Sequence, residues 1–167
     1  MHDRLTRSDI RKMQEEIDHR TLVERPKILK AVQEARAQGD LSENFEYYAA
    51  RKANRENNSR INYLTKMIET AIIVEDRSAE DQVGLNKKVT VKFPDEEETE
   101  TYKIVTSVRA DSMEGRITPN SPLGRALMGK RAGDLAHVKV NDKLEYDVEI
   151  VQVENVGEEE SDTLRRF

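Results

Sequence analysis

"ENFEYYAARKANRENNSRINYLTKMIETAIIV", residues 43–74, runs its whole length without a glycine or a proline. Tyr47, Ala50, Asn54, Asn57, Ile61, Leu64, Ile68 and Ala71 recur in it in steps of three and four. That is the spacing of a helix lying along a partner helix. About 30 residues rising ~1.5 Å each give an arm of roughly 45 Å. The seam is polar near the start of the arm, at Asn54 and Asn57, and apolar further on, at Ile61, Leu64 and Ile68. Packing is therefore concentrated at the base of the arm, and the tip is thinly held.

The partner helix lies upstream. In "SDIRKMQEEIDHR" (8–20), Ile10, Met13 and Ile17 keep helical spacing, with Thr6 or Ser8 able to cap the start. Pro26 interrupts this segment, either by sitting in the first turn of a new helix or by kinking one. "PKILKAVQEARAQ" (26–38) then places Ile28, Leu29, Val32 and Ala35 on one side, and Gly39 stops it. Residues 1–76 thus read as an antiparallel helical hairpin with its tip near 39–44.

Composition changes within "VEDRSAEDQVG" (74–84). Beyond it "KKVTVKF" (87–93) and "ETYKIV" (100–105) alternate as strands on either side of the acidic turn "PDEEETE". "SPLGRALMGKRAGD" (121–134) reads as a short helix capped by Ser121, with Pro122 in its first position. "LAHVKV" and "KLEYDVEIVQV" pair across "NDK". The fold class is α+β, with a small domain at 77–156 after the hairpin. "GEEESDTLRRF" (157–167) is polar and reads as a disordered tail.

Apolar residues make up 36% and charged residues 37%, too few apolar side chains for one thick core but enough for a hairpin and a small sheet. No apolar run reaches membrane-spanning length, and the first residues lack a signal-peptide core. The absence of cysteine excludes disulfides and thiolate chemistry, and a cytoplasmic, monomeric protein is expected. Residues 1–75 carry a net +1 and residues 76–167 a net −6. An acidic chain is a poor gripper of naked nucleic acid. No phosphate-cradling glycine loop or G-x-S-x-G occurs, and His2, His19 and His137 are scattered. The chain does not read as a self-contained enzyme.

The candidate site lies in "ARAQGDLSENFEYYAARKAN" (35–54), where Asp40, Glu43 and Glu46 fall three apart. By local chemistry the ordinary assignment is capping: Asp40 with Glu43 is a capping-box-like pair, and Ser42 is a further cap. The alternative is that Asp40 and Glu43 are hard oxygen ligands for Mg²⁺, carried outward on a narrow tip. Two carboxylates leave most of that ion's octahedron open, as two-metal phosphoryl chemistry requires. Nothing else in the chain supplies the rest of such a site.

The same stretch, after "ERPKI" (24–28), resembles the tip of the bacterial transcript-cleavage factors of the Gre family, and its "GDLSEN…EYYAAR" wording is closer to the GreA branch than to GreB. "GRITPNSPLGRALMGKRAGD" (115–134) is similar to a second motif of that family, and together the two span roughly residues 5–153. The resemblance implies a hairpin followed by an FKBP-like domain that docks at the rim of the RNA polymerase secondary channel. The hairpin would enter the channel and stimulate the polymerase to cut backtracked nascent RNA. By motif position the tip carboxylates are Asp40 and Glu43, sharing Mg²⁺ with the polymerase and needing no cofactor in the free protein. Arg36 and Arg51 would face the 3′ segment of the RNA, with Lys52 and Arg55 extending that side by charge alone. Asn120, Ser121 and Pro122 would dock on the rim coiled coil. Tyr47 is assigned to seam packing, Phe45 and Tyr48 to tip packing rather than base stacking, and Glu46 to support.

Two other readings compete. A Gre-like paralogue could plug the channel without promoting cleavage, but such paralogues alter the tip acids, and Asp40 and Glu43 are both present here. An FKBP-type fold also raises peptidyl-prolyl isomerisation, yet fold does not transfer activity. Phe93, Tyr102 and Tyr146, with Phe167 in the tail, are too few to line an aromatic pocket.

Overall fold

The computed structural model describes residues 2–40 and 44–166. The chain divides into two compact units, residues 7–72 with the first three, and everything from 73 onward with residues 4–6.

In the first unit, helix α1 (Arg7–His19) passes through a π-helical turn (Arg20–Glu24) into α2 (Arg25–Arg36), and α3 (Phe45–Thr70) returns alongside. Cross-links fix the sense of the pairing. Arg60 Nε donates to Glu16 at 2.7 Å, Arg25 to Asn58 at 3.0 Å, and Asn44 to the Ala35 carbonyl at 2.7 Å. Partner numbers fall on α3 as they rise on the first helix, so the hairpin is antiparallel as expected. From α3, Tyr47, Ala50, Asn57, Arg60, Ile61, Leu64 and Met67 are buried; Met13, Val32 and Ala35 meet the same condition on the first helix. Ile10, Ile17, Ile28 and Ile68 are only half-buried, and Leu29 is exposed. Contact between two helices covers a stripe narrower than the apolar face the sequence offers.

Pro26 sits in the first turn of α2, the first of the two expected alternatives, and the helical path runs through it unbroken. It has no N–H, and its ring crowds the carbonyl four residues back, here that of Leu22. The wider turn absorbs the conflict: the Arg25 N–H donates to the Arg20 carbonyl five residues back, and the backbone on both sides stays right-handed helical. Asn57, on the opposite helix, donates through Nδ2 to that carbonyl and accepts from Arg20 Nη1, both at 3.1 Å. Its seam position is thus explained by the turn it services. Beside it, Glu16 accepts from both Arg20 and Arg60. Burial alone would raise the Glu16 carboxyl, but the hydrogen bonds from Arg60 and then Arg20 outweigh it and hold the group below its ordinary value.

In the second unit, β1 (Arg4–Leu5) pairs with β2 (Ile72–Ile73), and the Val74 N–H donates to the Leu5 carbonyl at 2.9 Å. A five-stranded sheet follows: β3 (Lys87–Lys92), β4 (Thr99–Ile104), β5 (Arg116–Ile117), β6 (Leu135–Lys139) and β7 (Glu145–Asn155), in the order β5-β4-β3-β7-β6. β4 and β5 run parallel, the other pairs antiparallel, and a register shift at Thr90/Val91 bends β3 against β7. Alternation puts Val89, Val91, Val138, Val148 and Ile150 on one face, where Leu127 of α4 (Pro122–Leu127) closes the core. Phe93, Tyr102 and Tyr146 pack against that core. Lys87 is buried, and its ammonium donates to Ser78 Oγ at 2.9 Å, to the Gln82 carbonyl at 2.7 Å and to the Ala79 carbonyl. All three of its donors are used, which is what burial of an ammonium demands.

The segment after Gly157 departs from the expected loose tail. Asp162 is 3% exposed and pairs with the buried Lys103, which also meets Glu159 at 3.1 Å. Arg109 Nη1 donates to the Asp162 carbonyl at 2.7 Å, and the Arg165 N–H to the Val108 carbonyl at 2.7 Å. Polarity suggested disorder, but Glu158, Glu159 and Asp162 in this run answer cations held by the sheet unit. Among the described residues no helix is long and apolar enough to cross a membrane.

Candidate functional site

α2 ends at Arg36, where Ala37 and Gln38 donate back to Gln33 and Ala35, and Gly39 takes φ +103°, a left-handed conformation open to glycine. Asp40 follows, exposed. Leu41, Ser42 and Glu43 lie outside the described residues, so the second expected carboxylate, Glu43, and the expected cap, Ser42, have no structural description. The side chain that caps α3 is Asn44: its Oδ1 accepts from the Tyr47 N–H at 3.0 Å. Its Nδ2 at the same time reaches the Ala35 carbonyl. One amide therefore starts α3 and ties it to the end of α2.

Beneath this clasp Tyr47 packs with Val32, Ala35 and Ala50. The guanidinium carbons of Arg36 and Arg51 each lie 5.7 Å from the centre of its ring, and Arg51 Nη1 donates to its hydroxyl at 3.4 Å. Arg36 first, and then Arg51, hold the Tyr47 phenol below its ordinary value. Two helices thus bring two cations to one aromatic ring at the tip, with their exposed ends available to anionic oxygens. Lys52 is exposed and pairs with Glu56 at 3.8 Å, a surface contact of little energetic weight. Arg55 and Glu46 are exposed. Phe45 is 86% exposed, whereas Tyr48, 52% exposed, packs its ring 5.7 Å from that of Tyr47, as expected of it.

Among the described residues no three acidic or histidine side chains cluster so as to hold a metal ion. The donor set is hard oxygen only, one described carboxylate with Glu43 three residues on. That fits a divalent ion completed by ligands from another molecule.

On the second unit, Asn120 and Pro122 are exposed and Ser121 is half-buried. Ser121 Oγ donates to the Thr118 carbonyl at 2.7 Å and accepts from the Gly124 N–H at 3.1 Å, while Arg125 holds the Asn120 carbonyl at 3.2 Å. A Cβ on Gly124 would lie 1.9 Å from the Thr118 carbonyl oxygen, so the loop's close return admits only glycine there. The loop is preformed and faces solvent.

Asn44, Asn57, Glu16 and Arg60 were missed in the sequence.

Comparison with known proteins gives a consistent picture. A family model described as "Transcription elongation factor, N-terminal" matches residues 4–73, and one described as "Transcription elongation factor, GreA/GreB, C-term" matches residues 78–155. The transcription elongation factor GreA of Leuconostoc mesenteroides is 42% identical over 85% of this chain and 89% of its own length. That of Streptococcus gordonii is 40% identical over 90% and 94%. A solved structure of the transcription factor Gfh1 aligns over 92% of this chain and 97% of its own, at 22% identity and a TM-score of 0.46.

Proposed function

Because the chain belongs to the GreA/GreB family of transcription elongation factors, we propose that it inserts its hairpin into the secondary channel of RNA polymerase and stimulates cleavage of backtracked nascent RNA. The observation that carries this reading is the division of labour at the tip. Asn44 takes both the cap and the clasp, and Asp40 stands exposed past the end of α2. An exposed carboxylate at a solvent-facing turn suits a ligand role.

In this mechanism Asp40 and Glu43 would hold a magnesium ion shared with the polymerase, their carboxylates placed to orient the attacking water. The ion supplies charge neutralisation at the attacking and leaving oxygens of the phosphodiester. Arg36 and Arg51, set on either side of Tyr47, hold phosphates of the RNA 3′ segment. Asn120, Ser121 and Pro122 dock on the rim coiled coil and fix how deep the tip reaches. The protein itself is an accessory factor, since the polymerase contributes the remaining ligands.

The test is transcript cleavage by a backtracked cognate polymerase. Asp40→Ala or Glu43→Ala is expected to lower the stimulated rate at least a hundredfold while polymerase binding persists. Full stimulation by either variant overturns the ligand assignment. A wild-type protein that binds polymerase and blocks cleavage would identify a channel plug instead.

A further inference from the structure

The last ten described residues form a feature that the family match does not cover, since the C-terminal family model ends at residue 155. They are nevertheless attached through three buried cations. Lys103 pairs with Asp162 and Glu159, and Lys88 lies 3.4 Å from Glu159. Arg109 binds the Asp162 carbonyl and sits 3.5 Å from Glu158. Arg116 Nη1 donates to the Ser161 carbonyl at 3.2 Å. Lys103, Arg109 and Arg116 are all at least nine-tenths buried. Buried cations are costly unless paired, so this much pairing in the sheet unit implies a segment built to be held.

What the strap holds is the run Thr163–Arg166. The backbone bond from Arg165 to Val108 lays it along one wall of a cleft of about 700 Å³, whose other walls include Asp111, Arg116, Thr118 and Ser121. Ser121 belongs to the docking loop described above. The cleft therefore opens directly beside that loop; within it Arg116 is paired with the one acid, Asp111, at 3.7 Å, while Arg165 and Arg166 add two exposed cations. Its charge selects an occupant bearing carboxylates.

We propose that this segment is a second limb of the polymerase-docking surface, whose cleft receives acidic side chains of the polymerase next to the site gripped by Asn120–Pro122. This rests on the function proposed above and adds to it a contact peculiar to chains carrying the strap. The strap spends its own acids on the domain and leaves its arginines to the partner.

The test uses the full chain with Arg165→Glu and Arg166→Glu combined. Both residues are exposed, so the fold and the buried pairs are retained. Affinity for cognate core polymerase is measured by fluorescence titration at two salt concentrations, beside wild type and Ser121→Glu. The double variant is expected to bind at least tenfold more weakly, with a shallower salt dependence, and its half-saturating concentration in the cleavage assay should rise in parallel. Unchanged affinity, with Ser121→Glu weakened, overturns the strap proposal alone. A wild-type protein without polymerase affinity overturns the functional reading itself. Loss of binding that is reproduced by adding inorganic phosphate to wild type, and not by an acidic peptide, would make the cleft a phosphate site and also overturn the proposal. A second variant, truncated after Val156, should lose affinity to the same extent if its circular dichroism stays native.

Discussion

Asn44 joins two helices through one amide, and its two hydrogen bonds differ in what they stabilise. The bond to Tyr47 satisfies a donor at the start of α3, a contribution of about 1 kcal/mol. The bond to Ala35 holds the end of α2. Asn44→Ala should lower hairpin stability by about 1–2 kcal/mol in urea unfolding, and Asn44→Asp should recover only the capping share. Equal stability of Asn44→Ala and wild type would remove the clasp from the account. The bend at the tip was legible because Gly39 ends α2 in the left-handed conformation glycine favours. The cap was not, because Asp40, Ser42 and Asn44 are all competent caps within five positions. Only geometry chooses among equivalents. The Arg36–Tyr47–Arg51 group had the same limitation, since it depends on how two helices are rotated against each other.

The hairpin's seam is not a uniform apolar zipper. At mid-length it changes to a polar layer of Glu16, Arg20, Asn57 and Arg60 built around the π turn. Glu16 carries the pH dependence of that layer. Its folded pKa lies below its ordinary value, so its stabilisation is complete above the unfolded carboxylate range, near about 4.3. It is lost as pH falls through the lower folded value. Wild type should therefore lose helical stability more steeply than Glu16→Gln as pH falls below the ordinary carboxylate range, near about 4.3. That variant should already be weaker by about 1–3 kcal/mol at neutral pH, because the acceptor of the Arg20 and Arg60 bonds loses its charge. Equal slopes for the two proteins would show that the layer does not titrate as described. The strands and helices themselves were readable because period and alternation repeat along the chain. The polar layer reads as a flaw in the seam until the backbone it serves is seen.

Across the whole molecule, charge is arranged by unit, with +1 in residues 1–75 and −6 beyond. Two arginines at a tip neutralise too few phosphates to hold RNA alone in an acidic protein. The isolated protein should leave an RNA oligonucleotide unshifted in a gel at physiological salt and should retain it only when polymerase is present. A shift by the protein alone would assign the tip an independent RNA affinity. The strap was the largest feature hidden from the sequence. Its main ion pair joins Lys103 to Asp162 across 59 positions, and a polar run carries no periodicity to announce such a partner.

The π turn at Arg20–Glu24 has a further consequence, for phase. It inserts one residue into the reading frame of the first helix, and one residue is about 100° of rotation. Every side chain from Pro26 to Arg36 therefore points about 100° away from where α1 continued unbroken would have aimed it. The azimuth at which Arg36 meets Tyr47 is set four turns back, at a bend of backbone that touches neither.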